Sequence, residues 1–401
     1  MQQQPGILSG LLVVEVATYI AAPAAATLLA DFGAQVIKLE RPPHGDPFRY
    51  LYQNPPLPPS EINYPFLVDG RNKQSVTLNI AKAKGREALQ KLVAQADIYI
   101  TNYQPDVNEK LQLRYEDLAP LNPRLIYAHL TGYGESGPDA ARPGYDMTAY
   151  WARSGLMESL HDADGGPSIS VCGQGDHPSA MSVFAGILLA LYDRQRTGLG
   201  TKVSSSLLAN GVWSNSSMVQ AALCGAPPHE HSRRAAARNV MINHYLSRDG
   251  KRFLLCAIQP AQDWPRLCSA WGREDLIGDP RFGTADARLQ NRAELVGIAD
   301  SIFATRDMAE WAEILDAHSV AWGPVNRTID APDDPQMAAA GLFREMDHPR
   351  HGRLRVVNPP IELASATKAA MQPAPEVGQH TAEVLRALGY DESEIQEISN
   401  A

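Results

Sequence analysis

Apolar runs of strand length alternate with longer stretches of helical length over the first two hundred residues. Leu11-Leu-Val-Val-Glu-Val16 reads as a buried strand, Ala22 to Phe32 as an alanine-rich helix, and Gln35-Val-Ile-Lys-Leu39 as a second strand. Together they make a β-α-β unit. The alternation continues through a strand at Ser75–Asn79, a helix from about Lys84 to Ala96, and a strand at Ile98–Ile100. A short helix over Tyr115–Leu121, strands at Leu125–Leu130 and Val203–Leu207, and a helix to about Leu223 complete it. This is the pattern of an open α/β sheet.

Beyond Leu223 the period changes. Gly225 to Asn239 holds Pro227-Pro228 and Ser232-Arg-Arg-Ala-Ala-Ala-Arg238 and reads as a linker. A hairpin follows, Asn243–Ser247 and Arg252–Ala257, turned at Asp249-Gly250. Helices at about Gln262–Trp271, Arg288–Ala304 and Asp307–His318 complete a smaller α+β domain. Asp330 to Gln336 reads as a return linker, Arg353–Leu363 as extended and Gln379–Leu388 as a final amphipathic helix. The expected division is a large domain of residues 1–224 plus 331–401, a linker at 225–240 and a small domain at 241–329.

One stretch organises the chemistry. In Cys172-Gly-Gln-Gly-Asp-His-Pro178 a carboxylate, Asp176, stands before a helix expected from about Pro178 to Arg194. Met181, Phe184, Leu188 and Leu191 give that helix a core-facing stripe. Asp176 has two readings. It caps the helix, or, with Gly173 and Gly175 clearing the space beside it, it attacks a thioester to form an acyl-carboxylate anhydride.

Composition narrows the classes. At 401 residues, 44% apolar and 20% charged, the chain is an ordinary globular protein large enough for two domains. Its longest apolar run, Val183–Tyr192, is too short to cross a bilayer, and Met-Gln-Gln-Gln-Pro-Gly lacks a basic secretory start. A cytoplasmic protein without membrane partners is therefore expected. Cys172, Cys224, Cys256 and Cys268 have no paired spacing, and His229-Glu-His231 has no third partner, so neither disulfides nor a metal site is expected. A net charge of −9 argues against nucleic acid, while leaving room for a local basic cluster around an anionic small molecule.

Ligands of open α/β sheets gather beyond the carboxyl ends of the strands, which marks the loops beginning at Arg41, Asn102 and Thr131. Lys73 and Lys110 either add charge there or are solvated surface residues. Between Val16 and Ala30 there is no glycine, so the dinucleotide fingerprint is absent despite Glu40 after the second strand. Pro143-Gly-Tyr-Asp146 begins a further helix with Asp146 as its expected cap.

Several stretches resemble the class III coenzyme A transferases, the family of formyl-CoA and carnitine CoA-transferases and α-methylacyl-CoA racemase. They are Leu8-Ser-Gly-Leu11, Leu29-Ala-Asp-Phe-Gly-Ala-Gln-Val-Ile-Lys-Leu-Glu-Arg41, Asn72-Lys73, Asn122-Pro-Arg-Leu-Ile-Tyr127 and Gly144-Tyr-Asp146. Arg196-Thr-Gly-Leu-Gly200, Gly323-Pro-Val-Asn326 and Gly378-Gln-His-Thr-Ala-Glu-Val-Leu-Arg386 extend the resemblance over nearly the whole chain.

The resemblance implies that Asp176 is the nucleophile, passing through an aspartyl anhydride and an aspartyl-CoA thioester. It places Arg41, Asn72, Lys73, Asn102, Tyr103 and Lys110 at CoA, with Tyr145 lining the acyl pocket. It implies a Rossmann-like large domain, an inserted small one, and two chains threaded as an interlocked homodimer. No cofactor beyond coenzyme A itself is implied.

The implied substrates are an acyl-CoA and a small carboxylic acid, with succinyl-CoA or a similar short dicarboxyl thioester as donor. Ile20 stands where formyl-CoA transferase has a glutamine, and no glycine-rich loop lies between Arg238 and Asn243, which departs from the formyl and oxalyl enzymes. Tyr145 stands where the racemases have a histidine. Racemisation or isomerisation of one acyl-CoA, and non-catalytic CoA binding, are the alternatives.

Overall fold

The computed structural model describes residues 6–228 and 230–400. His229 lies outside them. The chain forms two units, one of residues 6–158, 169–226 and 339–400, the other of residues 159–168 and 227–338.

The first unit is built on six parallel strands, β1 (Leu12–Val16), β2 (Gln35–Glu40), β3 (Gln74–Thr77), β4 (Ile98–Thr101), β5 (Ile126–Thr131) and β6 (Lys202–Ser206). Their order in the sheet is β3-β2-β1-β4-β5-β6. Val13 of β1 lies opposite Val36 of β2 on one side and Ile98 of β4 on the other, so the strand order reverses direction between β1 and β4. That is the switch point where doubly wound sheets open a crevice at the carboxyl ends.

The period-two alternation of strand side chains divides the core between the two faces of the sheet. Val13, Val36, Ile98, Ile100, Ala128 and Leu130 pack against the helices Ala21–Asp31 and Asp176–Thr197. Every residue of Ala21-Ala-Pro-Ala-Ala-Ala-Thr-Leu-Leu-Ala-Asp31 is buried, and its small side chains allow the long helix to lie close against it. Val14, Ile37, Leu39, Val76, Tyr99 and Tyr127 face the other way, toward the helix Ala83–Gln95.

The second unit holds an antiparallel sheet of β7 (Ile242–Leu246), β8 (Arg252–Cys256) and β9 (Trp322–Pro324), in that order. Phe303 centres its core, with the rings of Tyr245 and Phe253 each 4.8 Å away and Trp311 at 4.9 Å. The hairpin matches its sequence signal. β9 has no such signal, because Trp-Gly-Pro is too short to show a period.

The chain then returns to the first unit. The expected return linker is partly ordered as a 3-10 turn at Thr328–Asp333 and a helix at Pro335–Ala339. The extended stretch at Arg353 is β11 (Gly352–Val357), paired antiparallel with β10 (Phe343–His348). The helices Thr381–Ala387 and Glu392–Asn400 follow. They cover the edge of the large sheet: His380 N–H donates to the Ser75 carbonyl and Thr77 N–H to Thr381 Oγ1, both at 2.9 Å. Val384, Leu385, Tyr390, Ile395 and Ile398 complete the core on that face.

Candidate active site

Asp146 begins a short π-helix, Asp146–Ala152, a form that is rare and recurs at functional sites. Its carboxylate does not serve as the expected helix cap. It accepts the N–H groups of Gly173 at 2.9 Å and Gly175 at 3.0 Å, and so clamps the loop that leads into Asp176. The two glycines are needed for different reasons. A Cβ on Gly175 would lie 2.4 Å from Asp146 Oδ1 and from the Tyr150 ring, whereas Gly173 adopts a left-handed φ of 91°.

Asp176 is the first residue of the helix Asp176–Thr197, two positions before the expected start. That helix ends where Gly198 adopts a left-handed φ of 76°. The cap bond of the first reading is not made. Among the described residues no hydrogen-bond donor reaches the Asp176 carboxylate, although the residue is only 9% exposed. Burial, then the Asp146 carboxylate, raise its pKa to about 7, with neighbouring His177 acting in the opposite direction. A carboxylate that is poorly solvated, unpartnered and placed at the positive end of a helix is a competent nucleophile toward an acyl group.

The switch point supplies a second group of residues. After β1, Thr18 donates its N–H to Asn102 Oδ1 at 3.0 Å, and Asn102 Nδ2 donates to the Thr18 carbonyl at 2.7 Å. Asn102 thus ties the β1 loop to the β4 loop. Tyr19 adopts a left-handed φ of 64°, donates its N–H to Asp46 Oδ1 at 3.1 Å, and sets its ring edge-on to Tyr145 at 5.9 Å. Arg41 is exposed after β2. Burial raises the pKa of Tyr103, an effect that the Lys38 and Arg41 charges oppose. Lys110 is exposed in the last turn of the helix Pro105–Leu111.

Asn72 and Lys73 are not in this group. They lie just before the start of β3. Asn72 donates to Asp31 Oδ1 at 2.7 Å and accepts the Gln372 N–H at 2.6 Å. The Lys73 ammonium lies in the interior, 2.7 Å from Glu15 Oε2 and 2.8 Å from the Pro23 carbonyl. Both side chains hold the scaffold, because acceptors inside the protein engage the donors expected to face a ligand.

Glu15 is the centre of a buried ion network that sequence reasoning missed. It is fully buried and accepts from Lys38 at 2.6 Å as well as from Lys73, while Lys38 lies 2.8 Å from Asp46. Burial opposes the charge on Lys38, but Asp46, Glu15 and Glu40 hold its pKa above the ordinary value. Burial lowers that of Lys73. Through Asp46 the network reaches the Tyr19 backbone and so positions the β1 loop. A signal was available: Glu15 and Lys38 sit inside otherwise apolar strands, where a charge must be paired.

Residues 8–381 match the sequence model of CoA-transferase family III. The chain belongs to that family. It is 34% identical to a cinnamoyl-CoA:phenyllactate CoA-transferase from Clostridium sporogenes, covering 99% of this chain and 97% of the relative. It is 32% identical to a mouse succinyl-CoA:glutarate CoA-transferase, covering 98% and 88%. A crystal structure of a CaiB/BaiF family protein from Brucella suis superposes with a TM-score of 0.83 at 29% identity, covering 96% of this chain and all of that one. This family III CoA-transferase is therefore an enzyme with the family's α/β fold. Among the described residues no helix is long and apolar enough to cross a membrane.

Proposed function

We propose that this enzyme moves CoA from a short acyl-CoA to a small carboxylic acid through Asp176. The observation that carries the reading is the buried Asp176 carboxylate at the start of its helix, without a hydrogen-bond donor among the described residues. An Asp176 oxygen attacks the thioester carbonyl, the C–S bond breaks, and CoA leaves as thiolate, which gives a mixed anhydride. The thiolate then attacks the aspartyl carbonyl of that anhydride and expels the donor acid as its carboxylate. The acceptor carboxylate attacks the resulting aspartyl-CoA thioester, and the released thiolate takes the new acyl group from the second anhydride. Asp176 is regenerated.

Arg41, Asn102, Tyr103 and Lys110 are proposed to hold CoA across the switch point, and Tyr145 to line the acyl pocket. Guanidinium and ammonium groups suit the nucleotide phosphates. Relatives of similar identity are named for phenyllactate, (R)-2-hydroxy-4-methylpentanoate and glutarate. One of them is named for succinyl-CoA and another for cinnamoyl-CoA, and the proposed donor here is succinyl-CoA or a similar short dicarboxyl thioester. Purified enzyme given succinyl-CoA with a panel of 2-hydroxy and dicarboxylic acids is expected to form new thioesters only when both substrates are present, with hydroxylamine attacking the aspartyl carbonyl of the anhydride or thioester, expelling the acid or CoA, and leaving a hydroxamate on Asp176. Turnover of one acyl-CoA alone would instead support isomerisation, and active enzyme without label at Asp176 would reject the covalent route.

The enzyme is further proposed to act as an interlocked homodimer. Leu189 and Tyr192 on the long helix, with Trp213 and Leu223 on the helices after β6, are each more than 70% exposed in the first unit. Apolar side chains of that size suit burial against another chain. Light scattering should give twice the 43.7 kDa chain mass, and a 43.7 kDa particle would overturn the dimer.

A further inference from the structure

The ring of His177 lies between two acceptors. Its Nε2 is 3.1 Å from Asp69 Oδ1 and its Nδ1 is 3.0 Å from the Gly173 carbonyl oxygen. Neither an ionised carboxylate nor a carbonyl has a proton to donate. A neutral imidazole could therefore satisfy one contact and would set a nitrogen lone pair against oxygen at the other. A doubly protonated ring satisfies both.

The acceptors are fixed independently of the ring. Asp69 is 4% exposed and ends the helix Tyr64–Asp69, where its carbonyl accepts the Thr27 hydroxyl at 2.6 Å. Gly173 is held through its N–H by Asp146.

We propose that His177 is an imidazolium at neutral pH, clamped by Asp69 and Gly173, whose charge favours the ionised form of the adjoining Asp176 carboxylate. The catalytic part of this statement rests on Asp176 being the nucleophile. With both N–H groups engaged, the ring has none to hand to a substrate, so His177 is a positioning residue that acts through its charge and is not a proton shuttle. The groups around Asp176 are the Asp146 carboxylate on the π-helix, the Asp69 carboxylate on its own helix, the Cys172 thiol in the preceding loop and His177. Asp146 and Asp69 favour the neutral form of Asp176, and His177 opposes them. Burial, then the Asp176 charge, push the Cys172 thiol up to about 11. Half of the His177 side chain is exposed; its partial burial opposes charge, yet the Asp69 bond and charge, the Asp176 charge and the Gly173 carbonyl lift it to about 9.

Nitrogen NMR of histidine-labelled full-length enzyme tests the charge without reference to catalysis. The His177 ring is expected to stay doubly protonated through pH 8, and to titrate at lower pH in the Asp69→Asn variant. Titration of the wild-type ring near the ordinary value, about 6.5, overturns the proposal.

The rate of hydroxamate-label formation against pH tests the consequence. In His177→Gln the acid limb should move up by about one pH unit, a roughly fivefold loss at pH 7 that is regained near pH 9. Adding Asp69→Asn to that variant should bring the limb back toward wild type, because the uncompensated anion is gone. A loss equal at every pH, or no recovery in the double variant, overturns the electrostatic role. Active wild-type enzyme without label at Asp176 overturns the reading of the nucleophile, while the NMR result still decides the charge on His177.

Discussion

Asp176→Asn is expected to lower the rate of CoA transfer by roughly a thousandfold or more and to abolish hydroxylamine labelling, with the fold intact. The amide keeps the size and helix-start position of the carboxylate but cannot form the anhydride. The same substitution should raise the melting temperature at pH 8. The pKa of Asp176 is raised from 3.8 to about 7 in the folded protein, so folding disfavours its ionised form. Stability is then lost as pH rises from about 4 toward about 7, and the full cost remains above that, where the uncharged amide is free of it. In the wild type, activity should fall as pH drops through about 7 and the carboxylate takes up a proton. An asparagine variant that transfers CoA within tenfold of wild type would refute the role given to Asp176.

Glu15→Ala is expected to cost about 3–5 kcal/mol of stability, measured by urea unfolding, because it leaves Lys38 and Lys73 buried without their shared carboxylate. Adding Lys73→Met should recover part of that loss, since one uncompensated ammonium is replaced by an apolar chain of similar length. A cost under about 1 kcal/mol for the single variant would show that the network contributes little.

The strands and helices of the large sheet were legible because long apolar stretches with one period leave few alternatives. Asp176 was legible as a residue, but its surroundings were not. Whether it capped a helix or stood unpartnered depended on Asp146, thirty positions earlier, which draws the loop amides to itself. Lys73 shows the same limit from the other side. A lysine beside a strand-end loop has the chemistry of a phosphate ligand, and only the position of Glu15, fifty-eight residues away, turns it inward. Short range fixes the elements here; the partner of each charge is decided at long range. β9 and β10 were missed for a simpler reason, since neither Trp322–Pro324 nor Phe343–His348 carries a clear apolar alternation.

The cover on the outer edge of β3 has a bearing on how the protein is made. Thr77 and its partner Thr381 are separated by 304 positions, and at ~5–20 residues per second a ribosome takes about 15–60 s to cross that interval. Throughout it, the nascent sheet presents open backbone groups and a half-filled apolar face of the kind that recruits foreign strands. The growing chain thus has a long window of vulnerability, which closes only when the last helices emerge.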